Sequence, residues 1–172
     1  MRRTGTTRRG ALTATGAIAM GALLAGCGDG SGRRARADAP TAAEQAALAR
    51  TERSLRASAA VTSRELLARY EQVVKAHPAT AAGLSPLRDA VRAHAEALSA
   101  EGGTSHVLPR TRTTDAASAL KELAAAERHT ADAHTATLLK APPELARLLA
   151  SVAAAGAAHA YLLTELAKET TP

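Results

Sequence analysis

Five ionisable side chains lie at helical spacing among apolar residues, and their types could support chemistry. They are Glu52, His94, Glu127, His134 and His159. Each has a leucine or valine three or four positions away, a spacing that turns it toward the interior of a helical protein. Imidazole and carboxylate groups that converge there predict one of two arrangements. The first is a hydrogen-bonded cluster, and the second is a site for a small ligand or for a transition metal such as zinc, iron or copper.

Motifs of the common catalytic sites are missing from the sequence. A di-iron carboxylate site takes a glutamate from each of two helices and a Glu-x-x-His motif from each of two others. None of the eleven glutamates is followed by a histidine three positions later. The serines lack a nucleophile-elbow glycine pattern, and the chain has no glycine-rich phosphate loop. We therefore expect a protein that is not an enzyme, with a transition metal as the one cofactor it could hold.

Four amphipathic helices are predicted to position these side chains. Alanine supplies 46 of the 172 residues, and the only aromatic residues other than histidine are Tyr70 and Tyr161. This composition favours helix over strand. Apolar residues recur with a helical period in four segments. These segments are 41–77, 85–100, 115–140 and 143–167. The sequence thus predicts an all-α fold.

Local signals predict where three of the helices begin. Thr41 and Glu44 have the spacing of a capping box at the start of the first helix. Ser85 followed by Pro86 predicts an N-cap and a first-turn proline for the second helix. Asp115 is the expected cap of the third helix.

The lengths of the connections indicate how the helices pair. The turns after the first and third segments are short, which favours two antiparallel hairpins. The connection of residues 100–114 is long enough either to cross over the whole bundle or to form a long loop. Gly156 predicts a place where another helix approaches the fourth one closely. The expected domain is an antiparallel four-helix bundle over residues 41–169.

The first 40 residues have the layout of an export signal followed by a tether. Residues 1–10 are basic and polar, and residues 11–25 are mostly small and apolar, a stretch too short to span a bilayer comfortably. The stretch ends in Leu24-Ala25-Gly26-Cys27, which resembles the lipobox of bacterial lipoproteins, whose cysteine is acylated with fatty acids such as palmitate. We predict a signal peptide at 1–26, then lipidated Cys27 at the start of a flexible glycine-rich tether at 27–40.

Arg8 and Arg9 suggest the route of export. Together with the residues that follow, they resemble a twin-arginine export motif, and an arginine-rich general secretory signal is the alternative. Both routes lead to the same expected location, the extracytoplasmic face of the cell membrane, where the lipid anchors the protein.

The net charge of +6 does not indicate nucleic-acid binding. Four of the basic residues lie in the first ten positions, within the predicted signal peptide. The remaining basic residues are interspersed with acids and lack the neighbouring aromatic residues of a nucleic-acid surface. The membrane is the expected partner, through the lipid, and the sequence identifies no protein partner.

The signal, the tether, the four helices and the alanine-rich run from Leu145 to His159 together resemble ferritin-like lipoproteins of actinobacteria. This resemblance implies a ferritin-like bundle in the cell envelope, with up to two iron or manganese ions between its helices. Because the Glu-x-x-His motif is absent, no ligand carries over from the family. The expected function is a non-catalytic envelope lipoprotein with a binding or structural role. The alternative is a metal-binding ferritin-like protein that uses the five residues named above.

Overall fold

The computed structural model describes residues 40–99 and 115–170, and within these two ranges the protein is all-helical, with no strand. The predicted all-α class is therefore confirmed. The elements are α1 (Ala42–Ala76), a 3-10 turn (Pro78–Thr80), α2 (Ala81–Leu98), α3 (Ala116–Leu138) and α4 (Pro143–Glu169). The predicted signal peptide, Cys27 and the tether up to residue 39 lie outside the described residues.

Two of the predicted helix starts are confirmed by their caps. The Thr41 hydroxyl accepts a hydrogen bond from the Glu44 backbone N–H, and the Glu44 carboxylate accepts one from the Thr41 backbone N–H at 2.6 Å. The Asp115 carboxylate accepts from the Ser118 backbone N–H at 2.7 Å. Each cap satisfies backbone donors that have no partner within the helix.

The predicted start of the second helix at Ser85 is wrong, because α2 begins four residues earlier, at Ala81. The turn that begins at Pro78 reverses the chain in three residues, and α2 follows it without a break. Pro86 consequently lies inside the helix, where it removes one backbone hydrogen bond near the N-terminus. The Ser85 hydroxyl donates to the Ala81 carbonyl at 2.8 Å instead of capping the helix.

The four helices belong to one compact unit and pair in chain order. We call α1 with α2 the first hairpin, and α3 with α4 the second hairpin. The most extensive contacts lie within each hairpin. Between the hairpins, α1 packs along α3, whereas α2 touches α4 over a much smaller area.

Two apolar clusters fill the space between the hairpins and show in which direction each helix runs. The first apolar cluster includes Leu84 near the start of α2 and Leu120 near the start of α3. The second includes Leu98 at the end of α2, with Leu138 at the end of α3 packed against it. Helices α2 and α3 therefore run in the same direction. Residues 100–114, on which the predicted crossover or long loop falls, lie outside the described residues.

Helix α4 is long and apolar enough to cross a membrane by length and composition alone. The core helix of a soluble protein meets the same criterion. Leu145, Leu149 and Leu163 of α4 are fully buried in the two apolar clusters, and α4 has its largest contact with α3. This packing accounts for the apolar stripe of α4 within the helical unit.

Candidate functional site

A buried carboxylate on α3 lies at the centre of the polar groups inside the protein. Glu127 is 1% exposed. Its Oε1 atom accepts a hydrogen bond from the Tyr70 hydroxyl on α1 at 2.5 Å. The Nδ1 atom of His159 on α4 lies 3.1 Å from the same oxygen and donates to it. One carboxylate oxygen thus joins three helices.

Two further histidine contacts extend this arrangement. The ring of His94 on α2 stacks on the ring of His159, with centroids 6.2 Å apart and planes inclined by 16°. On the other side of the carboxylate along α3, the Nε2 atom of His134 lies 3.1 Å from the Ser63 hydroxyl of α1. His134 and Ser63 are each 1% exposed, whereas His94 is half-buried.

We call these six side chains the polar layer. They are Ser63, Tyr70, His94, Glu127, His134 and His159. Along each helix, the layer lies where the chain passes between the two apolar clusters, and Tyr70 also packs into the first of them. All four helices contribute to the layer, so it divides an otherwise apolar interior. Buried polar groups in such a place are stable only when they satisfy one another.

Burial and neighbouring charges set the protonation of the layer. Burial lowers the pKa of His94, the positive charge of His159 lowers it further, and Glu127 acts in the opposite direction. The pKa of His134 is also lowered by burial, with a further contribution from His94. Burial raises the pKa of Tyr70, and the charge of Glu127 adds to this effect. At neutral pH, Tyr70 therefore keeps its proton for the bond to Glu127, and His94 and His134 are mainly uncharged.

Gly156 on α4 leaves room for the carboxylate. A Cβ atom at this position would lie 3.2 Å from Glu127 Oε2 and 3.4 Å from the Ala131 Cβ atom. The predicted close approach of a helix at Gly156 is therefore confirmed, and the helix in question is α3. A larger residue would push against the side chain on which the polar layer is centred.

Four of the five predicted site residues meet in the polar layer, and the fifth does not. The prediction that Glu52 faces the core is wrong. Its side chain is 37% exposed and pairs with Arg56 on the same helix at 3.3 Å. Every residue from 41 to 51 is exposed, including Leu48 at 66%, so the start of α1 has no apolar partner. The apolar residues at the start of α1 therefore have no core to pack against.

Two members of the polar layer, Tyr70 and Ser63, are not among the five residues predicted from the sequence. Their seven-residue spacing equals the spacing of Glu127 and His134 on α3. Two polar pairs with equal heptad spacing on antiparallel helices can face each other at both levels. The equal spacing of the two pairs is the sequence signal that could have identified Ser63 and Tyr70.

The polar layer does not fit the metal centre that a ferritin-like fold implies. Among the described residues, no three histidine, cysteine, aspartate or glutamate side chains are arranged to hold a metal ion. The layer has only one carboxylate, and one of its two oxygens already accepts hydrogen bonds from Tyr70 and His159. A di-metal site needs four carboxylates or more on its four helices. The residues present therefore support hydrogen bonding rather than metal coordination.

A groove with a volume of about 540 Å³ lies on the surface between α1 and α3. Leu66, Ala126 and Thr130 belong to its lining, together with the ionisable groups Glu65, Arg69, Glu122 and His129. No member of the polar layer lines this groove. Its size is within the range of small-ligand sites, and its mixed charges suit a polar ligand.

Comparison of the chain with protein-family models, with curated proteins and with solved structures found no match.

Proposed function

We propose that this chain is a lipid-anchored protein of the cell envelope, held on the extracytoplasmic face of the membrane through Cys27. Its helical part is a ferritin-like four-helix bundle without catalytic activity, and it has a binding or structural role. The lipobox-like Leu24-Ala25-Gly26-Cys27 and the glycine-rich residues after it support the anchor and the tether.

The direction of the helices supports the ferritin-like bundle. Ferritin-like proteins join two antiparallel hairpins by one long crossover connection. Here α2 and α3 run in the same direction, as the two helices on either side of such a crossover do. Each helix also packs against the other helix of its own hairpin and against one helix of the other hairpin. Between the hairpins, α1 contacts α3, and α2 contacts α4.

The state of Glu127 is the observation that carries the non-catalytic role. A carboxylate that binds a metal or acts in catalysis needs an oxygen that is free for the ligand, whereas Glu127 Oε1 is occupied by Tyr70 and His159 and Oε2 lies against Gly156 of α4. The groove between α1 and α3 lies apart from these three side chains. A binding role is consequently supported at the surface of the bundle rather than in its interior.

Lipidation is tested with Cys27→Ser, and Ser31→Ala in the tether is the matched control. We expect the wild type and the control to be in the membrane fraction with the mass of an acylated chain that lacks residues 1–26. The Cys27→Ser protein should be released, or should keep its signal peptide. Equal fractionation and equal mass increments in all three proteins would contradict the anchor.

The non-catalytic role is tested by the metal content of the purified full chain. We expect less than one tenth of an equivalent of iron, manganese, zinc or copper after purification without chelators. A stoichiometric metal that is lost in Glu127→Gln but retained in the exposed-site variant Glu96→Gln would support the metal-binding alternative and overturn the proposal.

A further inference from the structure

The polar layer lies between the two hairpins and connects them. Tyr70 of the first hairpin bonds Glu127 of the second, and Ser63 of the first contacts His134 of the second. The stacked rings of His94 and His159 bridge the hairpins between α2 and α4, whose backbones approach each other at few positions. Each of these three links includes a titratable group.

The layer contains more groups that can become positively charged than carboxylates that can balance them. His94 from α2 faces His159 of α4, and from α3 it is exposed to the charges of Glu127 and His134. From α1, Tyr70 contributes a neutral hydroxyl to Glu127. Three imidazoles therefore share one carboxylate. Glu127 can balance one imidazolium, and a second positive charge in this buried place has no counter-ion in the layer.

We propose that the polar layer is an acid-operated latch, which fixes the two hairpins against each other at neutral pH and loosens their packing when His94 or His134 is protonated. Each hairpin keeps its own extensive helix–helix contact and the apolar clusters still join the hairpins, so the change loosens the packing around the layer and does not unwind the helices. We expect loosening to begin at the α2–α4 side, where few backbone positions of the two helices approach each other. This inference concerns the helical part alone and does not depend on the acylation of Cys27.

The direction of the pH effect follows from the environment of the rings. In the closed state the pKa values of His94 and His134 are lowered, and in the opened state they return to about 6.5. The latch is therefore fully stable above about pH 6.5 and weakens as the pH falls through the lowered values. Between these limits, each histidine raises the ratio of open to closed protein by up to about tenfold per pH unit.

The test uses Tyr70 as a reporter in the full chain. Tyr161 is 65% exposed, and the chain has no tryptophan, so Tyr161→Phe leaves Tyr70 as the only tyrosine. Near-ultraviolet circular dichroism of this protein is followed from pH 7.5 to 5.0 with a chelator present, together with the far-ultraviolet helix signal. We expect the Tyr70 signal to disappear below pH 6.5 while the helix signal is retained.

Variants identify the groups responsible. In the Tyr161→Phe protein, His94→Gln with His134→Gln should remove the transition, and the exposed-site variant His129→Gln should leave it unchanged. If the double variant does not fold, NMR titration of the histidine rings in the wild type replaces it. The transition must then coincide with the titration of His94 or His134.

Three results would overturn the latch. The first is a Tyr70 signal that does not change down to pH 5.0. The second is loss of the Tyr70 and helix signals at the same pH, which is ordinary acid unfolding. The third is a transition that persists in the folded double variant or that coincides with the titration of neither ring.

Discussion

Tyr70→Phe removes the hydroxyl that bonds Glu127 and leaves the rest of the core in place. The ring of Tyr70 is fully buried in the first apolar cluster, and phenylalanine keeps that packing. The substitution removes a 2.5 Å hydrogen bond to a buried carboxylate, while His159 still donates to the same oxygen. Bonds to charged groups contribute about 1.5–3 kcal/mol, so we expect the free energy of unfolding to fall by about 2 kcal/mol.

Urea unfolding at pH 7.5, followed by far-ultraviolet circular dichroism, measures this change. The midpoint should fall with an unchanged slope, because the same surface is exposed on unfolding. Tyr161→Phe is the matched control, since Tyr161 is largely exposed on α4 and its replacement should change stability by less than about 0.5 kcal/mol.

A double-mutant cycle separates the bond from other effects of the substitution. Glu127→Gln keeps the shape of the side chain and removes its charge. If Tyr70 and Glu127 act as a pair, the two losses should not add, and the coupling energy should be at least about 1 kcal/mol. Additive losses, or a Tyr70→Phe protein as stable as the wild type, would refute the central place of this bond in the polar layer.

Three other substitutions and one control test the packing and the helix ends. Gly156→Ala places a Cβ atom 3.2 Å from Glu127 Oε2, and Tyr70 and His159 hold that carboxylate. Overpacking should cost about 1–3 kcal/mol and alanine regains about 1 kcal/mol in a helix, so we expect a net loss of up to about 2 kcal/mol. Gly83→Ala is its control: the new Cβ atom meets the flexible end of Leu166, and equal or greater stability is expected in thermal unfolding. Asp115→Ala should lower the urea midpoint because α3 is packed from its first turns, and an unchanged midpoint would contradict this. Thr41→Ala should only increase amide exchange in residues 42–50, which are exposed, and a large fall in the urea midpoint would show that this part of α1 is packed after all.

The helices could be predicted because their signals are local. The caps at Thr41 and Asp115 depend on residues within one turn, and they occur as expected. The start of α2 failed because Ser85-Pro86 is only a local preference. The tight turn at Pro78 and the burial of Leu84 favoured an earlier start, and a proline in the second turn of a helix removes only one backbone bond.

The site could be predicted only in part because it depends on which segments lie side by side. Periodicity placed four of its side chains inside the protein, since His94, Glu127, His134 and His159 each lie on an apolar face. The same argument gave a wrong prediction for Glu52, because periodicity cannot show at which residue a 35-residue helix stops packing against other helices. It also passed over Tyr70, whose ring belongs to the apolar core and whose hydroxyl belongs to the polar layer.

The polar layer also answers a problem that an alanine-rich core creates. When α3 slides along α1, one alanine replaces another, so alanine contacts barely distinguish one register from the next. The contacts Tyr70–Glu127 and Ser63–His134 do distinguish them, because both pairs have the same seven-residue spacing and meet in only one antiparallel register. A slip by one turn moves the helices by about 5.4 Å and breaks both contacts at once. Each polar group left buried without a partner costs about 1–3 kcal/mol, so the polar layer adds its own penalty against a wrong register to the one imposed by the leucines of the first apolar cluster.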